Sequence, residues 1–173
     1  EIFNYHTVQG GPEQAIPRLA ESLAQGASHI VAHSLGGLVA LATLERHPEL
    51  PVGRIVCLGS PLRGSAAAAG VASHAWGAFA LGHSAQLLKE GCGPCAAGRE
   101  VGVVAGRMAL GLGRRFGHLA GQNDGTVAVE ETRLEGLADH VTIDASHTGL
   151  LFSAEAARQA IAFLRDGRFA TVR

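Results

Sequence analysis

The run Ala32-His33-Ser34-Leu35-Gly36-Gly37 sets a serine at the junction of an apolar segment and a helix-forming segment. A serine on a sharp strand-to-helix turn, the nucleophile elbow, needs small residues two before and two after it, because the turn brings strand and helix close together. Ala32 and Gly36 occupy those positions, and Gly37 extends the small surface. Glycine is the commoner first residue, so Ala32 is a mild variant. The serine also falls at a helix N-terminus, where backbone amides favour developing negative charge. A serine after a strand can be no more than a helix N-cap. The strand, the motif and the helix together point instead to a nucleophile.

A serine hydroxyl needs a base, and the base needs an acid that orients it. One established chain order is serine, then Asp or Glu, then His. His6, His29, His33 and His47 do not fit that order. Of the later histidines, His147 in Asp144-Ala145-Ser146-His147-Thr148-Gly149 lies just beyond the last expected strand. The C-terminal ends of strands border the crevice in which open α/β sheets hold ligands. His140 starts that strand, at the wrong end, and His118 precedes the candidate acid. His74 and His83 belong to an excursion and could line a pocket. For the acid, Asp124 in Gln122-Asn123-Asp124-Gly125-Thr126-Val127 falls between the last two expected strands. Asn-Asp-Gly is also a common turn former. Asp144 and Asp139 are rivals, although Asp144 is close to His147 in sequence, and Glu130 is a weaker reserve.

These side chains need elements to hold them. Residues 1–8 read as a strand, broken by Gly10-Gly11-Pro12. A helix follows over about 13–24, with Ile16, Leu19, Ala20 and Leu23 at helical spacing and Pro17 demanding either a place in the first turn or a later start. Ser28 to Ala32 is an apolar strand. Leu38 to Arg46 is a helix apolar on most sides, hence buried, that stops at His47-Pro48. Arg54 to Leu58 is a continuous apolar run typical of a strand inside a parallel sheet, and regular structure resumes with a strand at Glu100 to Val104. Gly59 to Gly98 reads as an excursion, with a lid- or cap-like part at about 66–98. Gly106 to Gly121 reads as a loop or short helix, and His140 to Ile143 as the last strand. Ser153 is an N-cap candidate for a final helix carrying Ala157, Ala160, Ile161 and Leu164. Alternating strands and helices argue for one α/β domain over residues 1–173, with a mostly parallel sheet and helices on both faces.

The chain has 173 residues, 47% hydrophobic and 17% charged, with a formal net charge of -1. This is a globular composition, with no electrostatic case for nucleic acid or an anionic membrane surface as partner. No apolar stretch approaches the roughly 18 residues of a membrane helix, although the Ala-rich stretch from Ala66 to Leu88 suits an acyl-binding or interfacial surface in peripheral contact with lipid. Three cysteines do not describe a disulfide framework. Cys92-Gly93-Pro94-Cys95 has the spacing of a thioredoxin-like redox site but lacks the preceding strand and following helix, and there is no second cysteine pair for a metal. A local disulfide or two thiols is the simpler reading. No cofactor and no metal are expected.

His33-Ser34-Leu35-Gly36-Gly37, Leu58-Gly59-Ser60-Pro61-Leu62-Arg63-Gly64-Ser65, Asn123-Asp124-Gly125-Thr126-Val127 and Ser146-His147-Thr148-Gly149-Leu150 resemble blocks of the lipase and esterase branch of the α/β-hydrolase fold. Bacterial triacylglycerol lipases and the GPI inositol-deacylase-like group carry similar blocks. The resemblance implies Ser34 as nucleophile, Asp124 as acid, His147 as base and the Leu35 backbone N–H as an oxyanion donor. It implies a carboxylic ester or lipid substrate, with thioesterase or acyltransferase chemistry as alternatives on the same residues, and an inactive binding module as an alternative of another class. The family also carries an upstream central strand ending in a His-Gly segment that supplies a second oxyanion amide. Nothing like it precedes Glu1, so the chain is expected to be a fragment lacking N-terminal strands. Its localisation, cytoplasmic or secreted, is open.

Overall fold

The computed structural model describes residues 1–4, 11–65, 85–93, 98–109 and 121–171. In chain order the elements are α1 (Gly11–Leu23), β1 (Ser28–His33), α2 (Leu35–Arg46), β2 (Val52–Leu58), α3 (Ala85–Glu90), β3 (Val101–Gly106), β4 (Asp139–Ile143) and α4 (Ala154–Asp166). Short 3-10 helices span Val129–Thr132 and Thr148–Phe152. The four strands form one sheet in the order β1-β2-β3-β4, and all its pairings are parallel.

β2 and β3 are the inner strands, and their sequences explain why. Successive side chains of a strand point to opposite faces, so a strand covered on both faces has no polar side. Ile55 and Cys57 of β2 join Val101 and Val103 of β3 in a cluster with α1 and α2 residues such as Ile16, Leu38 and Leu44. Their neighbours Val56, Leu58 and Val104 enter a second cluster with Ala156, Ala160 and Phe163 of α4. Helices therefore cover both faces, as the continuous apolar runs require. β1, at one edge of the described sheet, leaves Val31 half exposed.

Three expectations are corrected. The N-terminal strand is absent over residues 1–4, which have no regular structure. Phe3 instead packs against the α1/α2 cluster, with the Arg18 guanidinium 5.8 Å from its ring centre. Residues 5–8 lie outside the described residues. Pro17 sits in the interior of α1, not in its first turn. Proline removes the hydrogen bond to the carbonyl four residues back. Glu13 and Pro17 both lie on the exposed side of α1, so water can serve that carbonyl. Finally, α2 starts at Leu35, directly after Ser34, earlier than its apolar pattern indicates.

Much of the excursion, residues 66–84 and 94–97 with Cys95, lies outside the described residues, as do residues 110–120. What is described of it folds back on the loop after β2. Ser65 N–H donates to Leu88 O at 2.8 Å, and Cys92 N–H donates to Leu62 O at 2.7 Å. Among the described residues, no helix is long and apolar enough to cross a membrane.

Candidate active site

Ser34 links β1 to α2 with φ 56° and ψ −126°, and it is the one non-glycine residue at positive φ among those described. Such a backbone costs on the order of 1–3 kcal/mol and persists only where its surroundings impose it. Here the register imposes it. Ser34 N–H donates to Leu58 O at 2.9 Å, which holds the residue to the end of β2 while the chain turns directly into α2. The close approach of α2 to the sheet depends on Gly37, where a Cβ would lie 2.7 Å from Ser60 Cβ and 3.1 Å from Cys57 Sγ. The Leu35 N–H opens the helix, so it has no partner one turn back within α2.

Asp124 comes from the segment after β3. It is buried, 1% exposed, in a turn that its own carboxylate closes. Oδ1 accepts the N–H groups of Thr126 at 2.9 Å and Val127 at 2.7 Å. This is the local chemistry of a turn-forming Asp. It leaves Oδ2 facing His147 Nδ1 at 2.7 Å. His147 follows β4, and its Nε2 stands 3.0 Å from Ser34 Oγ. A buried carboxylate can only accept, so Nδ1 carries the ring proton. Nε2 then presents its lone pair, and the Ser34 hydroxyl donates to it. The backbones are tied as well: His147 N–H donates to Asp124 O at 2.9 Å.

The structure thus brings Ser34, His147 and Asp124 together from the C-terminal ends of three different strands, in the chain order expected. The rival acids are engaged elsewhere. Asp144 is exposed and forks with Arg107, Nη2 to Oδ2 at 3.0 Å. Asp139 accepts the backbone N–H groups of His140 and Phe169, both at 2.8 Å. Glu130 pairs with Arg133 in solvent. Among the other histidines, His29 Nδ1 accepts Arg54 N–H at 2.8 Å, His47 contacts Glu49, and His140 Nε2 lies 2.8 Å from Thr132 Oγ1. His6, His74, His83 and His118 lie outside the described residues. Among the described residues, no group of three or more His, Cys, Asp or Glu side chains could hold a metal ion.

Two neighbours of these side chains escape a reading by motif and order. His33 fails the nucleophile–acid–base order, yet its Nε2 is 3.0 Å from His147 O and its ring centre is 4.7 Å from that of His147. Burial is the largest influence on His33 and holds its pKa below the usual 6.5. Gly59, at φ +55°, lies against the Asp124–His147 pair: a Cβ there would sit 3.1 Å from Asp124 Oδ2 and 3.3 Å from His147 Nδ1. The Leu58-Gly59-Ser60 block signalled proximity to the site, but not this close approach.

A parallel sheet covered on both faces, with its polar constellation at the strand C-termini, is the α/β-hydrolase architecture. Solved structures agree on the fold. The lipase BlEst2 of Bacillus licheniformis in its mature form superposes with a TM-score of 0.66 at 20% identity, over 90% of this chain and 71% of that one. Its propeptide form gives 0.70 at 17% identity, over 95% of this chain and 42% of the other. The metagenomic carboxyl esterase MGS0156 gives 0.63 at 17% identity, over 82% of this chain and 53% of the other. The chain therefore spans well under the full length of these relatives. No known sequence family matches it, and no curated protein sequence does.

Proposed function

We propose that this protein is a serine hydrolase of carboxylic esters that works through an acyl-enzyme. The observation that carries the reading is the unbroken polar path from Ser34 Oγ through His147 to the buried carboxylate of Asp124, at 3.0 Å and 2.7 Å. As Oγ attacks the ester carbonyl, its proton passes to His147 Nε2, and the Nδ1–H stays bonded to ionised Asp124. The carbonyl oxygen becomes an oxyanion, and the Leu35 N–H at the head of α2 is its donor. Collapse of this intermediate expels the alcohol, which takes the proton from His147, and leaves the acyl group on Ser34. Water then gives a proton to Nε2 and adds to the acyl carbonyl. The second intermediate expels Ser34 Oγ, which recovers the proton, and the carboxylic acid departs. Esters with a substantial apolar acyl group, such as those of lipids, are the substrate class favoured by the likeness of fold to a lipase and a carboxyl esterase. The GPI inositol-deacylase-like branch is the narrower family proposal, resting on the sequence blocks alone.

The test is a fluorophosphonate probe on the full-length protein and on Ser34→Ala, followed by a panel of p-nitrophenyl esters. We expect a single adduct on Ser34 and a loss of turnover of about 10^6-fold in the variant, as for removal of a serine nucleophile elsewhere. A folded wild-type sample that forms no Ser34-dependent adduct sinks the proposal.

A further inference from the structure

We propose that His33 is a positioning residue for this reaction: its Nε2–H donates to the backbone carbonyl of His147 and so holds the general base over Ser34. The inference rests on the hydrolase reading above and extends it to a residue outside the Ser34–His147–Asp124 path.

The geometry is specific. A carbonyl can only accept, so the 3.0 Å contact between His33 Nε2 and His147 O requires the proton on Nε2 of His33. With its N–H on Asp124 O at 2.9 Å, the His147 backbone is held at both its donor and its acceptor. Because His33 precedes Ser34 in the chain, the bond ties the base to the residue beside the nucleophile. His147 is thus bonded to the His33-Ser34 pair through its carbonyl and its Nε2, and to Asp124 through its N–H and its Nδ1, so a shift of His147 must break one of these contacts.

The loop that carries His147 needs such a tie. Between β4 and α4 its buried side chains are Ala145 and Leu150, whereas Leu151 and Phe152 are exposed, so apolar packing pins it at few points. The rings of His33 and His147 also meet at 4.7 Å, tilted by 46°. A neutral donor suits this place, since a cationic His33 would lie against the imidazolium that His147 becomes in the reaction. The burial that lowers the His33 pKa favours the neutral form.

The experiment separates a donor from a space-filler. In the full-length protein, His33→Phe keeps a ring of similar size without a donor, and His33→Gln keeps an amide donor without the ring. We expect His33→Phe to lower kcat at least tenfold with KM within about twofold, since small misplacements of a catalytic group cost 10- to 100-fold. His33→Gln should recover kcat to within about threefold of wild type, with the fluorophosphonate labelling rate of Ser34 following the same order. The reverse order, with His33→Phe active and His33→Gln impaired, overturns the proposal, as does equal impairment of both. His33→Leu serves as a second donor-less variant, and failure of both donor-less variants to fold also overturns it. A readout without turnover is the NMR signal of the His147 Nδ1 proton. It should exchange with solvent faster in His33→Phe than in wild type and His33→Gln, and identical exchange in all three refutes the positioning role. If wild type leaves Ser34 unlabelled, it is the hydrolase reading that fails, and this proton still decides whether His33 holds His147.

Discussion

At the scale of single residues, the site is built from groups that each satisfy a local demand and a distant one. Asp124 closes its own turn with Oδ1 and meets His147 with Oδ2. Its carboxylate is thus held by backbone amides as well as by the imidazole, which is the kind of support a precise catalytic geometry needs. Gly59 does the opposite and makes room. A Cβ there would stand 2.8 Å from Leu150 Cδ1 and 3.1 Å from Asp124 Oδ2, on a backbone at φ +55°. Gly59→Ala combines a conformation worth on the order of 1–3 kcal/mol of strain with pressure on the Asp124–His147 pair. We expect a lower urea midpoint together with a fall in ester turnover of at least about tenfold, more than the loss of folded protein explains. Wild-type kcat in this variant would mean that the pair has slack to absorb a methyl group.

At the scale of elements, α4 anchors the C-terminal end of the His147 loop, because Ser153 alone separates it from the Thr148–Phe152 helix. Its ends are well specified. Ser153 Oγ accepts Ala156 N–H at 3.2 Å, and Gly167, at φ 73°, ends the helix with its N–H on Phe163 O. Its attachment to the sheet centres on Phe163, which is fully buried and packs so tightly on β3 that a Cβ at Gly102 would come 2.6 Å from the ring. Phe163→Ala leaves a cavity at this contact and should cost about 3–5 kcal/mol. Chemical denaturation measures it directly, and a loss below about 1 kcal/mol would show that α4 is held mainly at its termini.

At the scale of the whole molecule, two partly buried histidines link the fold to pH. His33 and His140 both have pKa values below the usual 6.5, with burial the first cause in each case and the charge of Arg133 a further one for His140. The unfolded chain therefore binds protons at these positions more readily than the folded one. Their stabilisation is complete above the unfolded value and is lost as pH falls through it towards the lower folded values. We expect the denaturation midpoint to be level from about pH 8 to 7 and to fall between about pH 6.5 and 5, above the range in which carboxylates titrate. His140→Gln should reduce that slope. A midpoint independent of pH over this interval would show that neither histidine is protonated more readily on unfolding.

Much of this arrangement is legible in the chain. The apolar run of Arg54 to Leu58 marked β2 as a covered strand, because burial on both faces leaves no polar alternation. The small residues around Ser34 marked the turn, and the order of Ser34, Asp124 and His147 along alternating strands and helices placed them at one end of a parallel sheet. Local chemistry also identified the Ser153 cap and the Asn-Asp-Gly turn. What sequence could not decide were matters of contact between distant segments. Whether Asp124, Asp144, Asp139 or Glu130 faces His147 depends on where neighbouring loops lie, and only the fold turns Asp144 to Arg107 and Asp124 inward. Pro17 is tolerated inside α1 because tertiary packing puts positions 13 and 17 towards solvent. His33 meets a carbonyl 114 positions away, and Gly59 lies under a pair formed by residues 124 and 147. Propensity and periodicity act over a few residues, so they set the elements. The partners of a side chain are set by the register of parallel strands, which exists only once the sheet has formed.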